Sequence, residues 1–254
     1  MPQQQSHRYT HWVTGLTAIA LATLGSLSPA IAQTYQPSGD IGVPGRRQGG
    51  GTRSGQCLAP GTISLTALMP ESGYGQTTAA LPTLYVYIPA SQAGQAEFRL
   101  YDEVDNIVYA QDITLNGATE IIAIPLAATA NFTELPLNQP YRWDLLLTCT
   151  PNDFSANLFI DSWIERVEPP AQVTADLAAA PTEIDQATIY AEAGLWFEAL
   201  DTLAALRIEQ NASEATLTAW ETLLDSVNLH SLIGIPLVNG ELSAPIDGSD
   251  DSQL

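Results

Sequence analysis

Apolar and polar residues alternate with a period of two along most of the stretch from residue 57 to residue 167. This period is typical of strands that turn one face to a core and the other to solvent. In the stretch 140–149, Tyr141, Trp143 and Leu145 share one face, whereas Arg142 and Asp144 share the other. The alternation predicts strands at 62–68, 83–88, 95–102, 106–113, 119–126, 140–149 and 156–167. Short strands at this spacing predict an all-β, immunoglobulin-like sandwich over residues 57–168.

After the Pro169-Pro170 pair, an alanine-rich spacer leads to a helical pattern. Thr182 with Asp185 three residues later resembles a capping box and predicts the start of a helix. Tyr190-Ala-Glu-Ala-Gly194-Leu-Trp196 and the residues after it resemble the helix–turn–helix of a tetratricopeptide repeat, and 213–227 predicts a third helix. These helices amount to about one and a half repeats, whereas a free-standing solenoid usually needs at least about three. The helices of residues 181–230 are therefore expected to pack on the sandwich, pair with a second copy or receive a partner.

The first 32 residues have the features of a secretory signal peptide, with Arg8 before an apolar run and small residues at Ala30 and Ala32. We expect cleavage between Ala32 and Gln33 and export to the periplasm, the cell surface or the extracellular space. A membrane anchor is the alternative, but the run is short and lacks basic stop-transfer residues. Residues 33–56 are predicted to be a flexible Gly/Arg-rich tether and 231–254 an acidic flexible tail. No later stretch has the roughly 20 apolar residues that span a bilayer.

The composition removes most catalytic chemistry. The chain has no lysine, three histidines and two cysteines, and two of the histidines lie in the predicted signal peptide. Amine, thiolate and imidazole catalysts are therefore scarce, and the protein is not expected to be an enzyme. In an oxidising compartment, Cys57 and Cys149 favour one structural disulfide. The formal net charge of −20 repels phosphate backbones, which argues against nucleic-acid binding.

A hairpin turn offers the one candidate for a metal. Asp102, Glu103, Asp105 and Asn106 could bring oxygen ligands together for calcium, although the spacing differs from that of a dedicated calcium loop. The alternative is a plain solvated hairpin, because Asp and Asn suit a tight turn. No cofactor is expected unless calcium binds here.

Four aromatic residues are candidates for an interaction surface. Tyr85 and Tyr87 share one strand face, which could stack on sugar rings or be buried in the core or in a domain interface. Trp196 and Trp220 lie in the predicted helices. A carboxylate-based hydrolase is a distant alternative, because Asp161 and Glu165 would lie roughly 13 Å apart along one strand, which is too far for a catalytic pair.

Four co-linear segments resemble a known family. They are Ser54-Gly-Gln-Cys57-Leu-Ala, the stretch from Pro140-Tyr-Arg-Trp143 to Cys149-Thr-Pro-Asn-Asp153, Leu158-Phe-Ile-Asp-Ser-Trp163-Ile-Glu-Arg166-Val, and Tyr190-Ala-Glu-Ala-Gly-Leu-Trp196-Phe-Glu-Ala-Leu200. Together they resemble the cyanobacterial family known as domain of unknown function 928, over about residues 54–230. The resemblance implies an exported protein with two matching cysteines, and it transfers no catalytic residue.

These observations lead to one main functional hypothesis. The protein is predicted to be an exported, non-enzymatic interaction module of the cell envelope that binds a protein partner, or itself, through the helical segment. The alternative is a surface-binding domain that depends on calcium or carbohydrate and uses the sandwich loops or the Tyr85/Tyr87 face.

Overall fold

The computed structural model describes residues 1, 34–37, 45–49, 57–58, 61–149, 157–208 and 212–247. The predicted signal peptide, its cleavage site and the last seven residues lie outside the described residues, apart from Met1. The chain divides into two compact units, Met1–Ile31 and Ala32–Leu254. Every element described below belongs to the second unit.

Two sheets form the β part of this unit. The strands are β1 (Thr66–Ala67), β2 (Tyr74–Thr77), β3 (Thr83–Ile88), β4 (Gln95–Tyr101), β5 (Ile107–Thr114), β6 (Glu120–Pro125), β7 (Pro140–Leu147), β8 (Leu158–Arg166), β9 (Leu237–Asn239), β10 (Glu241–Leu242) and β11 (Ile246–Asp247). The small sheet has the order β1-β3-β6-β9, and the large sheet has the order β10-β5-β4-β7-β8-β2, with β11 also on β5. The chain passes repeatedly between the two sheets, and of the strands β1 to β8 only β4-β5 and β7-β8 are consecutive strands within one sheet. The predicted order of a β-sandwich followed by helices is confirmed.

The alternation of the sequence is reproduced in the central strands. In β7, the inward residues Tyr141, Trp143, Leu145 and Leu147 are all buried. β3, which lies in the middle of the small sheet, is buried along almost its whole length. All seven predicted strands exist, although β1 is only two residues long. The structure adds β2, which pairs in parallel with β8 from Tyr74 opposite Trp163 to Thr77 opposite Arg166.

Four helices follow the sandwich: α1 (Ala171–Ala179), α2 (Glu183–Glu192), α3 (Trp196–Ile208) and α4 (Glu214–Asp225). The predicted cap of α2 is present, because Thr182 Oγ1 accepts a hydrogen bond from the Asp185 N–H at 3.1 Å. Gly194 has a φ of 76°, which lets the chain turn tightly between α2 and α3. One cluster of buried apolar side chains extends from the sandwich into the helices. Of the three arrangements expected for the helices, the structure shows packing on the sandwich.

Short segments before β1 and after the helices close the sandwich. Residues 45–49 lie within the predicted tether, yet they form two antiparallel β-bridges through the main chain. Arg46 pairs with Asp161 of the large sheet, and Gln48 pairs with Thr66 of the small sheet. At the opposite edges, β9 pairs with β6, and β10 and β11 pair with β5. Residues 237–247 are therefore not part of a flexible tail. Sheet edges offer unpaired N–H and C=O groups, and these segments satisfy them.

The two cysteines form a disulfide at one end of the sandwich. Cys57 precedes β1, Cys149 follows β7, and their Cα atoms are 5.3 Å apart. The bridge closes a sequence separation of 92 residues. The sequence-based pairing of Cys57 with Cys149 agrees with this geometry.

Candidate interaction surfaces

The hairpin between β4 and β5 uses its acidic groups within the protein. Asp102 Oδ1 accepts hydrogen bonds from the N–H groups of Val104 and Asn106, at 3.0 and 2.8 Å. Desolvation alone raises the pKa of Asp102, but the hydrogen bonds from Asn106 and Val104 outweigh it and lower the pKa. Asp105 has a φ of 62° and pairs with Arg142 at 3.0 Å. Glu103 is exposed. This geometry is that of an Asx-stabilised turn and favours the plain hairpin.

Tyr85 and Tyr87 do not offer a surface, because both side chains are buried. Tyr85 donates a hydrogen bond from its hydroxyl to Asp201 Oδ1 of α3 at 2.6 Å. Burial, and then the charge of Asp201, raise the pKa of Tyr85. The pair therefore joins β3 to the helices. The prediction that these two tyrosines stack on sugar rings is therefore wrong. They pack in the core and at the interface with the helices instead.

Trp196 and Trp220 are also buried, with 0% and 1% of their surfaces exposed. Trp196 Nε1 donates to the main-chain oxygen of Leu68 in the sandwich at 2.8 Å. Trp220 lies beneath the guanidinium of Arg207, 4.8 Å from Cζ to the ring centroid. Neither ring is available to a partner. The sequence alone does not show what covers the apolar side of these helices. In the structure, the sandwich covers it.

A glutamate that the sequence did not single out holds α3 to the sandwich. Glu198 Oε1 accepts four hydrogen bonds at 2.5 to 3.0 Å from the end of β2 and the loop that follows it. The donors are Thr77 Oγ1, Thr78 N, Thr78 Oγ1 and Ala79 N. The residue is partly buried. We call this arrangement the Glu198 clamp. The residues that donate to Glu198 lie about 120 positions earlier in the chain, so no local sequence pattern predicts the Glu198 clamp.

Residues 34–37 also lie at the junction between the helices and the sandwich. Tyr35 is 6% exposed, and its ring meets the Trp196 ring edge-to-face with centroids 5.0 Å apart. Its N–H donates to Ser226 Oγ at 3.4 Å, and the Gln36 N–H donates to the Ala191 oxygen at 3.0 Å. Twelve positions later, Arg47 Nη1 donates to the oxygens of Met69 and Val227 at 2.9 and 2.7 Å. We call the space lined by Ala191, Trp196 and Ser226 the seam.

The outer face of the large sheet carries a network of charges. Asp144 points outward from β7 but is only 6% exposed. Desolvation by burial raises the pKa of Asp144, against the opposing effects of Tyr101, Arg142 and Arg99. Arg142 stacks on the Tyr101 ring at 3.9 Å and contacts Asp144 at 3.4 Å. These groups satisfy one another, so the network stabilises the sheet face rather than exposing a free charge.

Of the two residues considered for hydrolysis, Asp161 binds the closing segment through its main chain, and Glu165 uses its carboxylate. Asp161 donates its N–H to the Arg46 oxygen at 3.2 Å within the segment that closes the sandwich. The Glu165 carboxylate accepts a hydrogen bond from the Tyr74 hydroxyl. Within the described ranges, no group of three or more His, Cys, Asp or Glu side chains is arranged to hold a metal ion. The same residues include no helix long and apolar enough to cross a membrane.

The remaining surface of the helices is acidic, and one of the helices, α1, has no buried residue. None of the nine residues of α1 is buried, and Val173 and Leu177 are only partly covered. Among the described elements, α2 is the main neighbour of α1. Ten acidic residues and one arginine lie between residues 171 and 225: Asp176, Glu183, Asp185, Glu192, Glu198, Asp201, Glu209, Glu214, Glu221 and Asp225, with Arg207. Arg207 is already bonded to the oxygens of Ile233 and Ile235.

The fold and these surfaces define a class of protein: a disulfide-bridged β-sandwich with a helical segment docked on it. Comparison with known families matches residues 48–237 to Domain of Unknown Function (DUF928). Because the match covers more than half of the chain, the protein belongs to this family. No curated protein matches the chain.

Proposed function

We propose that the protein is an exported, non-enzymatic interaction module that binds a basic amphipathic helix of a partner protein on the outer surface of α1 and α2. The observation that carries the proposal is α1, a helix of nine residues with none of them buried. Isolated helices shorter than about 12 residues are marginal in water, because nucleation is costly. A partner that covers α1 would therefore complete its burial.

Charge indicates the chemistry of the partner. Ten acids stand against one arginine between residues 171 and 225, and although Glu198 and Asp201 bond to the sandwich, the other acids give the helical segment a negative field. Such a field attracts basic segments and repels acidic ones, mainly through the rate of association. Glu183 is exposed at the start of α2, and Asp176 is exposed on α1. A lysine- or arginine-rich helix that covers the apolar pair Val173 and Leu177 would find acidic counter-charges on α1 and α2.

The spacing of that apolar pair favours a helical partner. Val173 and Leu177 are four residues apart, so they lie on the same side of α1. A partner helix binds such a strip through its own residues at i, i+3 or i+4, as in helix-in-groove recognition.

The proposal of export is supported by the predicted signal peptide and by the disulfide between Cys57 and Cys149. Disulfides persist in oxidising compartments and are rare in reducing ones. The absence of catalysis is supported by the composition, since no lysine exists and His230 lies outside every cluster described above. N-terminal sequencing of the protein from an envelope fraction tests the export: Gln33 as the first residue supports it.

The binding proposal is tested with residues 33–254 and two matched double variants. Val173→Ser/Leu177→Ser removes the apolar strip of α1. Val104→Ser/Leu137→Ser removes two exposed apolar residues of the sandwich, which are 69% and 42% exposed. Each protein captures partners from envelope extract, and its affinity for a synthetic leucine–lysine amphipathic helix is measured at 0.05 and 0.5 M salt.

We expect the α1 variant to lose the captured protein and to bind the peptide at least about tenfold more weakly, which corresponds to about 1.4 kcal/mol. The sandwich variant should behave as the unmodified protein does. Binding should also weaken as salt rises, because exposed charges are screened over about 10 Å at 0.1 M salt. Equal capture by both variants would contradict the proposal.

A further inference from the structure

The seam holds residues 34–37 in the manner of a bound peptide. Thr34, Gln36 and Pro37 are exposed, whereas Tyr35 is buried between them. Two main-chain N–H groups donate to the helices, and one aromatic side chain fills the space beside Trp196. Recognition of an extended peptide typically combines main-chain hydrogen bonds with one aromatic anchor.

The acceptors in the seam belong to the carboxyl ends of two helices. Ala191 lies in the last turn of α2, and Ser226 is the C-cap of α4. The last carbonyl groups of a helix have no partner within the helix, and they carry its negative partial charge. The Ala191 oxygen accepts the Gly194 N–H at 3.1 Å and takes the Gln36 N–H as a further donor, and the Arg47 guanidinium donates to the Val227 oxygen just beyond α4. The seam is therefore chemically disposed to receive donors from an extended chain.

The walls of the seam are fixed by contacts that do not involve residues 34–37. Trp196 is oriented by its hydrogen bond to the Leu68 oxygen. Ser226 Oγ donates to the Leu223 oxygen at 2.7 Å, which leaves its lone pairs directed towards the seam. α3 is held to the sandwich by the Glu198 clamp. The site is thus organised by the body of the protein, and the segment contributes the ligand.

We infer that the seam is a peptide-binding site for an extended segment with a buried tyrosine, that residues 34–37 of the same chain occupy it, and that it accepts this segment as a separate molecule. Tyr35 is the third residue after the predicted cleavage site between Ala32 and Gln33. The segment that occupies the seam would then be the mature N-terminus. This inference does not depend on the proposed partner of α1.

The occupant is identified by its chemistry. The anchor must be aromatic, because it meets the Trp196 ring edge-to-face, an arrangement that aromatic pairs favour. The flanking residues are open to solvent, so their side chains contribute little. Burial raises the pKa of Tyr35 to about 12, so the anchor is the neutral phenol at physiological pH.

The experiment empties the site and fills it again. Tyr35→Ala in residues 33–254 removes the anchor, and a synthetic peptide of residues 33–41 is titrated in while binding is followed by calorimetry. The unmodified protein, in which the site is filled, is the first control, and the same peptide with Tyr35→Ala is the second. Circular dichroism establishes that the variant chain remains folded.

We expect saturable binding of the peptide to the variant chain, in the micromolar to millimolar range that matches the effective concentration of a short tether. Binding to the unmodified protein, and binding of the alanine peptide, should each be at least about tenfold weaker. No binding up to several millimolar, or equal binding to both proteins, would overturn the inference.

A second measurement covers the case in which Tyr35→Ala does not fold. A protease recognition sequence replaces residues 39–43 of the otherwise unmodified chain, and the protein is cut after folding. If the seam binds the segment as a ligand, equilibrium dialysis at millimolar protein retains the cut fragment on the side of the body, and excess peptide 33–41 displaces it. Equal concentrations of the fragment on both sides of the membrane would contradict the inference.

Discussion

The Glu198 clamp predicts a large loss of stability from one substitution on a helix surface. In Glu198→Ala, the Thr78 N–H loses its acceptor, while the Ala79 N–H retains Thr77 Oγ1 at 3.0 Å. An unsatisfied main-chain donor costs about 1–3 kcal/mol, and a hydrogen bond to a charged group contributes about 1.5–3 kcal/mol. The four bonds share one oxygen and do not add, so we expect a loss of about 3 kcal/mol. For a domain of this size, that corresponds to a fall of about 6–12 °C in Tm.

The assay is urea unfolding followed by circular dichroism and by tryptophan fluorescence. Glu198→Gln keeps an acceptor oxygen but removes the charge, so its loss should be smaller, about 1 kcal/mol. Glu192→Ala is the matched control, since Glu192 is exposed at the end of α2 and should change stability by less than about 0.5 kcal/mol. If Glu198→Ala and Glu192→Ala unfold with the same free energy, the clamp does not hold the helices to the sandwich.

Three further predictions concern the bridge, the N-terminal segment and the seam. Replacing both cysteines by serine removes a link across 92 residues. From the chain-entropy relation we expect the free energy of unfolding to fall by about 4.6 kcal/mol. An unchanged free energy of unfolding in denaturant would refute this prediction. Gly45→Ala places a Cβ 2.8 Å from the Gly73 oxygen, whereas Gly94→Ala meets nothing within 4 Å, so thermal unfolding should show a loss of about 1–3 kcal/mol for the first and almost none for the second. Burial raises the pKa of Tyr35 from 10.0 to about 12. The stabilising effect of the neutral phenol is therefore complete below pH 10 and is lost as the pH rises to 12. Tyr35→Phe should make the free energy of unfolding fall less steeply over this pH range, and an unchanged slope would count against burial of the phenol.

Much of the fold was predictable because its central strands have local signals. β3 has the predicted bounds, 83–88, since a run of apolar and aromatic residues between Pro82 and Pro89 fits a buried strand. β2 was missed because Tyr-Gly-Gln-Thr shows no clear alternation and its partner β8 is distant in sequence. α1 forms where the alanine-rich composition predicts a spacer, although a proline at a helix start is a known signal and Pro170 is the N-cap of α1. β9, β10 and β11 are two or three residues long and exist only because open sheet edges receive them.

The candidate site was harder to predict, because sequence shows which residues are apolar but not what covers them. Trp196 and Trp220 were sensible anchors for a partner as long as the helical segment had no other cover. The sandwich supplies that cover through the Leu68 oxygen and the Tyr85–Asp201 hydrogen bond. Tyr35 gave no signal at all, since it lies in a stretch whose composition predicts a flexible tether.

The division of the sequence by composition therefore differs from the division of the structure by contacts. Composition separates tether, sandwich, helical segment and tail at residues 56, 168 and 230. Contacts join all four, because Arg47 of the tether binds Val227 at the end of the helices, and β9 beyond the helices pairs with β6 of the sandwich. An isolated sandwich would expose the outer edges of β5 and β6 and the buried face of β3. The described parts of the chain between residues 34 and 247 therefore pack as one unit, and the partner that we propose would bind on its outside, where α1 lies.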